Sequence, residues 1–138
     1  MTTPSGYPGT PLPAKLGIKP GYLVAVIGAP DGFAGLLGDL PGVELLDELP
    51  AGVPLDVIVY FTTSRAGYEA ELDTLRQHMA PACGLWIAWP KRAAKVPTDM
   101  NEHVFREVAL PTGLVDNKVC AIDQVWTGMR LVIRRELR

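Results

Sequence analysis

The side chains that could do chemistry in this chain lie in three short segments, "GAPDGF" (28–33), "TTSRA" (62–66) and "WPKRA" (89–93). Their glycines permit a tight turn, their hydroxyl groups can hydrogen-bond a ligand, and their cations can bind an anion. Each segment follows an apolar run that is typical of a buried β-strand. Because ligands of open α/β sheets bind outside the carboxyl ends of the strands, we expect the segments to meet at one edge, the rim.

The cations of the rim indicate an anion site. Arg65 stands at the start of an expected helix, where a positive charge opposes the helix dipole, while Lys91 and Arg92 follow a strand. Three cations that converge near a helix N-terminus suit a small anionic ligand or an acidic protein partner. Trp89, the residue of its strand nearest the rim, could stack on a base. We therefore predict ligand or anion binding by Arg65, Trp89, Lys91 and Arg92.

A structural interpretation of these residues stays open. The alternative is a solvated rim in which Arg65 pairs with Asp31 or Glu69. Trp86 and Trp89, whose side chains point to opposite faces of one strand, then belong to the core on its two sides. Which interpretation holds depends on the carboxylates that the fold brings near Arg65.

The composition is that of one soluble globular domain without a basic face. The 138 residues are 48% hydrophobic and 20% charged, and the formal net charge is −2 at pH 7. A nucleic-acid binder needs a basic surface, so no nucleic-acid partner is expected. Neither a secretory signal nor an apolar stretch of about 20 residues occurs, which predicts a cytoplasmic protein without a membrane partner.

The sequence contains no recognisable set of metal ligands and no recognisable activated nucleophile. Cys83 and Cys120 each lie in an apolar stretch, which favours buried thiols in a reducing compartment over a disulfide or a metal site. His78 and His103 each sit on an expected helix and form no metal-ligand set. No nucleophile has a visible base, and neither G-x-S-x-G nor a phosphate-binding loop occurs. We therefore predict no metal site and no catalytic residue.

Apolar runs and helical spacing predict the elements that must position these residues. Strands are expected at 22–27, 43–46, 56–61, 85–89, 114–122 and 125–134. Helices are expected at 33–40, at about 65–79, and from a cap at Asp99 to a C-cap at Gly113. Ser64 is the expected N-cap of the second helix. Asp99, with Glu102 three residues later, is the expected capping box of the third.

The order β-α-β-β-α-β-α-β-β predicts the fold class. Strands that alternate with helices imply a mostly parallel sheet with right-handed crossovers. We therefore expect a single three-layer Rossmann-like α/β domain at 15–138, with about six strands and a C-terminal antiparallel hairpin. The proline- and glycine-rich residues 1–14 are expected to form a flexible arm before it.

Two stretches resemble the S-adenosylmethionine-dependent methyltransferase fold. "EVALPTGLVDNKVCAID…MRLVIRR" is similar to the final helix and reversed hairpin of that family. "LDTLRQHMAPACGLWIAWPK" is similar to its helix, turn and fifth strand. The resemblance covers 15–134 and implies a shortened fold in which one helix–strand unit is missing between Leu46 and Asp56.

The methyltransferase resemblance implies a cofactor turn after the first strand. In that family an acidic residue precedes a G-x-G-x-G turn. In this chain Gly28, Pro30 and Gly32 occupy the glycine positions, and Val26 occupies the acidic one. The resemblance therefore implies that S-adenosylmethionine, if bound, lies against Gly28, Pro30 and Gly32.

The same turn also departs from the family's pattern. Pro30 offers no N–H group to a cofactor, and the Asp31 carboxylate stands where an anion would bind at a helix start. Phe33 is expected to fill the volume that a glycine leaves open. These residues favour a capped turn that begins a helix, so no cofactor is firmly implied.

Further cofactor contacts are implied after the next two strands. An acid that follows the second strand grips the ribose hydroxyls in methyltransferases, and Asp47 stands at that position. Thr63 and Ser64 follow the third strand and can hydrogen-bond a ligand. The alternatives are a solvated acidic loop for Asp47 and helix capping for Ser64.

A narrower resemblance covers nearly the whole chain. "TPLPAKLGIKPG", "GAPDGF", "GLWIAWPKRA" and "VPTDMNE" resemble a family of short bacterial proteins catalogued as a domain of unknown function, number three-zero-five-two. This resemblance implies no activity and bears on fold and cellular setting alone.

Three functional hypotheses follow from the sequence. The first is a non-catalytic α/β module that binds a small anionic ligand or a protein partner at the rim. The second is a minimal or degenerate S-adenosylmethionine-dependent methyltransferase. The third is an assembly role, in which the terminal hairpin and the proline-rich arm form a homodimer contact.

Overall fold

The computed structural model describes residues 10–138. The helices are α1 (Leu12–Leu16), α2 (Phe33–Leu37), α3 (Arg65–Gln77) and α4 (Glu102–Ala109). The strands are β1 (Leu23–Ile27), β2 (Glu44–Leu46), β3 (Leu55–Phe61), β4 (Met79–Pro90), β5 (Leu114–Ala121) and β6 (Trp126–Ile133). Short 3₁₀ turns cover Arg92–Ala94, Leu110–Thr112 and Arg135–Leu137. Within this described part of the chain, no helix has the length and apolar character needed to cross a membrane.

One sheet contains all of these strands, in the order β2-β1-β3-β4-β6-β5. Strands β1 to β4 are parallel, β6 runs antiparallel to β4, and β5 and β6 form an antiparallel hairpin. Helix α2 connects β1 to β2, and α3 connects β3 to β4. The carboxyl ends of the parallel strands therefore meet at one rim, and the predicted α/β fold with its C-terminal hairpin is confirmed.

Strands β3 and β4 are buried along most of their length, so helical layers must cover both faces of the sheet. On one face, α3 and α4 pack through Tyr68, Leu72 and Phe105. The Tyr68 hydroxyl donates a hydrogen bond to the Phe105 carbonyl at 3.0 Å, which joins the two helices. On the other face, the short helices α1 and α2 contribute Leu16 and Phe33. This three-layer packing fixes the positions of the parallel strands, whose carboxyl ends form the rim.

Helix α1 is fastened to the sheet by Trp86. The indole N–H of Trp86, a side chain that is only 1% exposed, donates a hydrogen bond to the Leu16 carbonyl at 3.0 Å. The helix ends at Gly17, whose φ of 78° suits glycine and strains other residues. A five-residue helix is too short to be stable by itself, so this tether and the burial of Leu16 maintain it.

Several element boundaries differ from the prediction. The sequence predicts an arm over 1–14, whereas α1 already begins at Leu12; residues 1–9 of that arm lie outside the described residues. Helix α3 ends earlier than predicted because Met79 pairs with Leu55 of β3 and thereby begins β4. Pairing between distant residues leaves no local signal in the sequence.

Helix α2 is shorter than the helix predicted over 33–40. It ends at Gly38, whose φ is 67°, and Leu36 is 45% exposed. Phe33 and Leu37 are buried. The glycines of this segment weaken the helix, so only the residues that pack on the sheet remain helical.

Both cysteines are free and buried, as the sequence predicts. Burial raises the pKa of the Cys83 thiol to about 12. Burial also raises the pKa of Cys120. Both thiols are therefore protonated near neutral pH and are poor nucleophiles.

Trp86→Phe is expected to weaken the attachment of α1. The variant keeps most of the aromatic volume but leaves the buried Leu16 carbonyl without its donor, so the free energy of unfolding should fall by about 1–3 kcal/mol. Urea unfolding measures the loss. Trp89→Phe is the matched control, because the Trp89 indole makes no hydrogen bond within residues 10–138. An equal loss in both variants would contradict the tether.

Candidate functional site

Two cavities open at the rim, separated by the end of β3. The first lies between the β1–α2 turn and the end of β2 and has a volume of about 710 Å³; it is lined by residues 28–34, Leu45 and Asp47, among others. We call it the carboxylate cleft. The second lies beyond β4 and has a volume of about 760 Å³; it is lined by Trp89, Lys91 and Arg92, among others. We call it the rim pocket.

Glycines shape the turn that forms one wall of the carboxylate cleft. Gly28 has a φ of 72°, and a Cβ atom there would lie 3.1 Å from the Phe61 carbonyl oxygen. Gly32 has a φ of 91° and is the N-cap of α2. The Pro30 carbonyl accepts the Phe33 N–H at 3.2 Å, so that amide is used within the turn. The turn therefore approaches β3 closely while it begins a helix.

The Phe33 side chain packs into the core, and Phe33 also lines the carboxylate cleft. The ring is 3% exposed and meets the Phe61 ring edge-on, with the centroids 4.8 Å apart. Phe61 in turn meets Trp126 edge-on at 5.3 Å. These aromatic contacts hold Phe33 in the core, and the filling of a missing glycine's space by this ring stays a prediction.

The charge of the carboxylate cleft is negative. Asp31 and Asp47, both exposed, are the only charged side chains among the described residues that line it. The remaining wall is largely apolar and includes Leu37, Leu45 and Leu46. Such a cleft favours a cation or a ligand rich in hydroxyl groups, and it disfavours phosphates.

The β3–α3 loop uses its hydroxyl groups for internal structure. The Ser64 hydroxyl accepts the Gly67 N–H at 3.0 Å, which confirms Ser64 as the N-cap of α3. The Thr62 hydroxyl accepts the Ser64 N–H at 3.1 Å. The Thr63 carbonyl accepts a hydrogen bond from the Thr98 hydroxyl at 2.6 Å, and Thr63 itself is exposed. Neither Thr63 nor Ser64 lines the carboxylate cleft.

A carboxylate of the chain occupies the start of α3. Asp99 accepts the backbone N–H of Arg65 at 2.7 Å, across 34 residues of sequence. The predicted capping box is therefore wrong: Asn101, not Asp99, caps α4 and accepts the Val104 N–H at 2.8 Å. The sequence suggests that an anionic ligand binds at the start of α3, but the Asp99 carboxylate already lies there.

Arg65 is held by two carboxylates and stands apart from the other predicted cations. Its Nε lies 2.9 Å from Glu69 and its Nη1 lies 2.7 Å from Glu107. These hydrogen bonds raise the pKa of Arg65. Of the predicted anion-binding residues, Trp89, Lys91 and Arg92 line the rim pocket and Arg65 does not. The pairing with Glu69, one of the alternatives open at the sequence level, is present.

The rim pocket combines cations with an apolar floor. Lys91 and Arg92 form no ion pair within residues 10–138, whereas the nearby Glu102 is paired with Arg106 at 2.6 Å. Trp89 is itself 5% exposed and packs on Phe105. The sequence does not predict the apolar lining, which includes Val96, Met100, Val119 and Met129.

Val119 lines the rim pocket, and the sequence does not identify it as a site residue. It lies on the edge strand β5 and is 68% exposed, the largest exposure among the large apolar residues that the structure describes. It faces the rim pocket together with Val96, which is 37% exposed. A valine between Lys118 and Cys120 gives no local indication of whether it points inward.

Comparison with known proteins identifies the fold. No protein-family model matches the chain, and no curated protein matches it. A solved S-adenosylmethionine-dependent methyltransferase from Aquifex aeolicus matches with a TM-score of 0.61 and 17% identity over 87% of both chains. A Sulfolobus solfataricus protein assigned to the type 11 methyltransferases matches with a TM-score of 0.63 and 14% identity over 89% of both chains. Fibrillarin from Aeropyrum pernix, solved with natively bound S-adenosyl-L-methionine, matches with a TM-score of 0.58 and 14% identity over 83% of this chain and 67% of fibrillarin.

These similarities show the fold alone, because identities this low carry no activity from one protein to another. The methyltransferase-like fold implied by the sequence is confirmed. Strand β2 is followed directly by β3, as the predicted absence of a helix–strand unit between Leu46 and Asp56 requires. The narrower resemblance to the short bacterial family stays a prediction.

Asp99→Ala is expected to lower the free energy of unfolding by about 0.5–2 kcal/mol, because the first turn of α3 loses the carboxylate that accepts its N–H. Chemical denaturation measures the loss. Asp73→Ala is the matched control, since Asp73 is an exposed acid on the same helix without a hydrogen bond or ion pair within residues 10–138. Equal stability of Asp99→Ala and the wild type would show that Asp99 does not hold the helix start.

Proposed function

We propose that the carboxylate cleft binds S-adenosylmethionine and that the protein is a small methyltransferase-type protein. The observation that carries this proposal is the charge of the cleft, whose only charged lining residues among those described are Asp31 and Asp47. S-adenosylmethionine carries a sulfonium and an ammonium cation and two ribose hydroxyls, all of which suit carboxylate partners. Nucleoside phosphates would be repelled by the same two groups.

The dimensions and apolar walls of the cleft also fit a nucleoside. A volume of about 710 Å³ lies within the ordinary range for pockets that hold drug-sized ligands. Leu37, Leu45 and Leu46 supply apolar surface for a base. The fold supports the same assignment, since fibrillarin of similar fold was solved with S-adenosyl-L-methionine.

The backbone of the turn can orient the ligand despite Pro30. The N–H groups of Ala29, Asp31 and Gly32 donate no backbone hydrogen bond within residues 10–138, so they are available to the ligand's carboxylate. Asp47, at the end of β2, would accept hydrogen bonds from the ribose hydroxyls. When bound, the cofactor supplies an electrophilic methyl group, and no side chain of this cleft is assigned a catalytic role.

Isothermal titration with S-adenosylmethionine, with its demethylated product S-adenosylhomocysteine and with ATP tests the proposal. We expect both S-adenosyl ligands to bind and ATP not to bind. At about 100 times the dissociation constant, the bound ligand should stabilise the fold by about 2.7 kcal/mol, which a thermal shift detects.

Asp47→Asn should weaken binding of both S-adenosyl ligands about tenfold, because the ribose hydroxyls lose a charged acceptor. Glu48→Gln is the matched control, since this neighbouring exposed acid does not line the cleft. Absence of binding to the wild type, or equal effects of the two substitutions, would overturn the assignment.

A second candidate function belongs to the rim pocket, where exposed valines lie beside uncommitted cations. Lys91 and Arg92 can bind a carboxylate, while Val96, Val119 and Met129 provide apolar surface next to it. This combination favours a small anion with an apolar body. The pocket would then bind the anionic ligand of the first sequence hypothesis, without Arg65.

Benzoate and benzamide form a probe pair for the rim pocket, because they share a ring and differ in charge. Benzoate should perturb the amide NMR signals of the residues around Lys91 and Val119, and benzamide should do so at least tenfold more weakly. The Lys91→Gln, Arg92→Gln double variant should abolish the difference. Equal binding of the two probes to the wild type would contradict an anion site.

The proposal also covers the compartment, the family and the oligomeric state of the protein. We place the protein in the cytoplasm and in the short bacterial family that its motifs "GAPDGF" and "GLWIAWPKRA" resemble. The homodimer contact through the terminal hairpin also stays a proposal. Sedimentation at two protein concentrations tests it, since a dimer would dissociate on dilution.

A further inference from the structure

A third cavity lies on the α1 face of the sheet, at the end opposite to the rim. It has a volume of about 250 Å³ and lies between the end of α1 and the beginnings of β3 and β4. Its charged lining residues are Lys15, Lys19, Asp56, Lys118 and Arg130. We call it the α1-face pocket. None of the sequence-predicted site residues lines it.

The α1-face pocket is lined mainly by positive charges, whereas the net charge of the whole protein is negative. Four basic side chains face one carboxylate there, whereas the chain has a formal net charge of −2. The carboxylate is partly committed, because Asp56 Oδ2 accepts the Leu23 N–H at 2.8 Å. The basic residues come from three separate parts of the chain, so the fold concentrates them in one small volume.

Arg130 is positioned by a glycine. It lies opposite Trp86 in the β4–β6 register, and a Cβ atom at Gly84 would lie 3.1 Å from its guanidinium carbon. The missing side chain at Gly84 therefore lets the guanidinium lie against β4. Arg130 is half-buried and makes no hydrogen bond or ion pair within residues 10–138. A half-buried, preorganised and uncommitted guanidinium is suited to bind phosphate oxygens.

We infer that the α1-face pocket binds a compact polyanion of the pyrophosphate class. Arg130 provides the planar fork for two phosphate oxygens, and Lys19 and Lys118 provide exposed point charges at the margin. The small volume suits a diphosphate group better than a nucleic-acid strand, which needs an extended basic surface. This site is independent of the carboxylate cleft, since the two lie at opposite ends of the parallel strands and carry opposite charge.

Isothermal titration with inorganic pyrophosphate at low salt tests the inference. We expect saturable binding that weakens as salt is added, because exposed charges are screened. Arg130→Gln should weaken binding at least tenfold. Gly84→Ala should weaken it as well, because the new methyl group displaces the guanidinium while the charge stays in place.

Matched controls separate this pocket from the two at the rim. The Lys91→Gln, Arg92→Gln double variant removes the same kind of charge from the rim pocket and should bind pyrophosphate like the wild type. Asp47→Asn should also leave pyrophosphate binding unchanged, so that failure of the cofactor proposal and failure of this inference are distinguishable.

Several results would overturn the inference. They are absence of pyrophosphate binding to the wild type, unchanged binding by Arg130→Gln, and loss of binding in the Lys91→Gln, Arg92→Gln double variant. A single-stranded oligonucleotide that binds more tightly than pyrophosphate and depends on Arg130 would identify nucleic acid as the ligand instead. If Arg130→Gln only lowers the melting temperature, without pyrophosphate binding to the wild type, the residue is structural.

Discussion

The fold depends on one constraint: two neighbouring strands, β3 and β4, are apolar on both sides and must be covered on both faces. One face is covered by α3 and α4, of 13 and 8 residues. The other has only α1 and α2, of 5 residues each. Aromatic side chains fill much of the core on this second face. Phe33, Phe61 and Trp126 contact one another edge-on, and Trp86 hydrogen-bonds the end of α1.

The uneven cover explains where two of the cavities lie. The carboxylate cleft opens beside the short α2 and the edge strand β2, and the α1-face pocket opens where α1 ends. Both lie where the thin layer leaves the sheet uncovered, and they carry opposite charges at opposite ends of the strands. The same shortened fold thus presents a cleft lined by carboxylates at the rim and a pocket lined mainly by basic residues at the opposite end of the strands.

Internal hydrogen bonds and ion pairs occupy the charged groups in the middle of the rim. Asp99 satisfies the start of α3, and Glu69 and Glu107 neutralise Arg65. These contacts close the middle of the rim, where sequence alone places an anion. Lys91 and Arg92 keep their charge available beside the apolar floor of the rim pocket. The rim is therefore divided into two cavities of different chemistry.

The sequence by itself determined the features that depend on local chemistry: the buried strands, the parallel order with its terminal hairpin, the Ser64 cap and the buried cysteines. The strands, the cap and the buried cysteines follow from propensity or periodicity over a few neighbouring residues, and the parallel order follows from the alternation of strands with helices along the chain. Only the tertiary structure decided that Asp99 accepts the Arg65 N–H at the start of α3, that Arg65 also pairs with Glu107, and that Arg130 lies over Gly84. These contacts join residues far apart in the chain, and their geometry is set by how the layers pack, which no local pattern encodes.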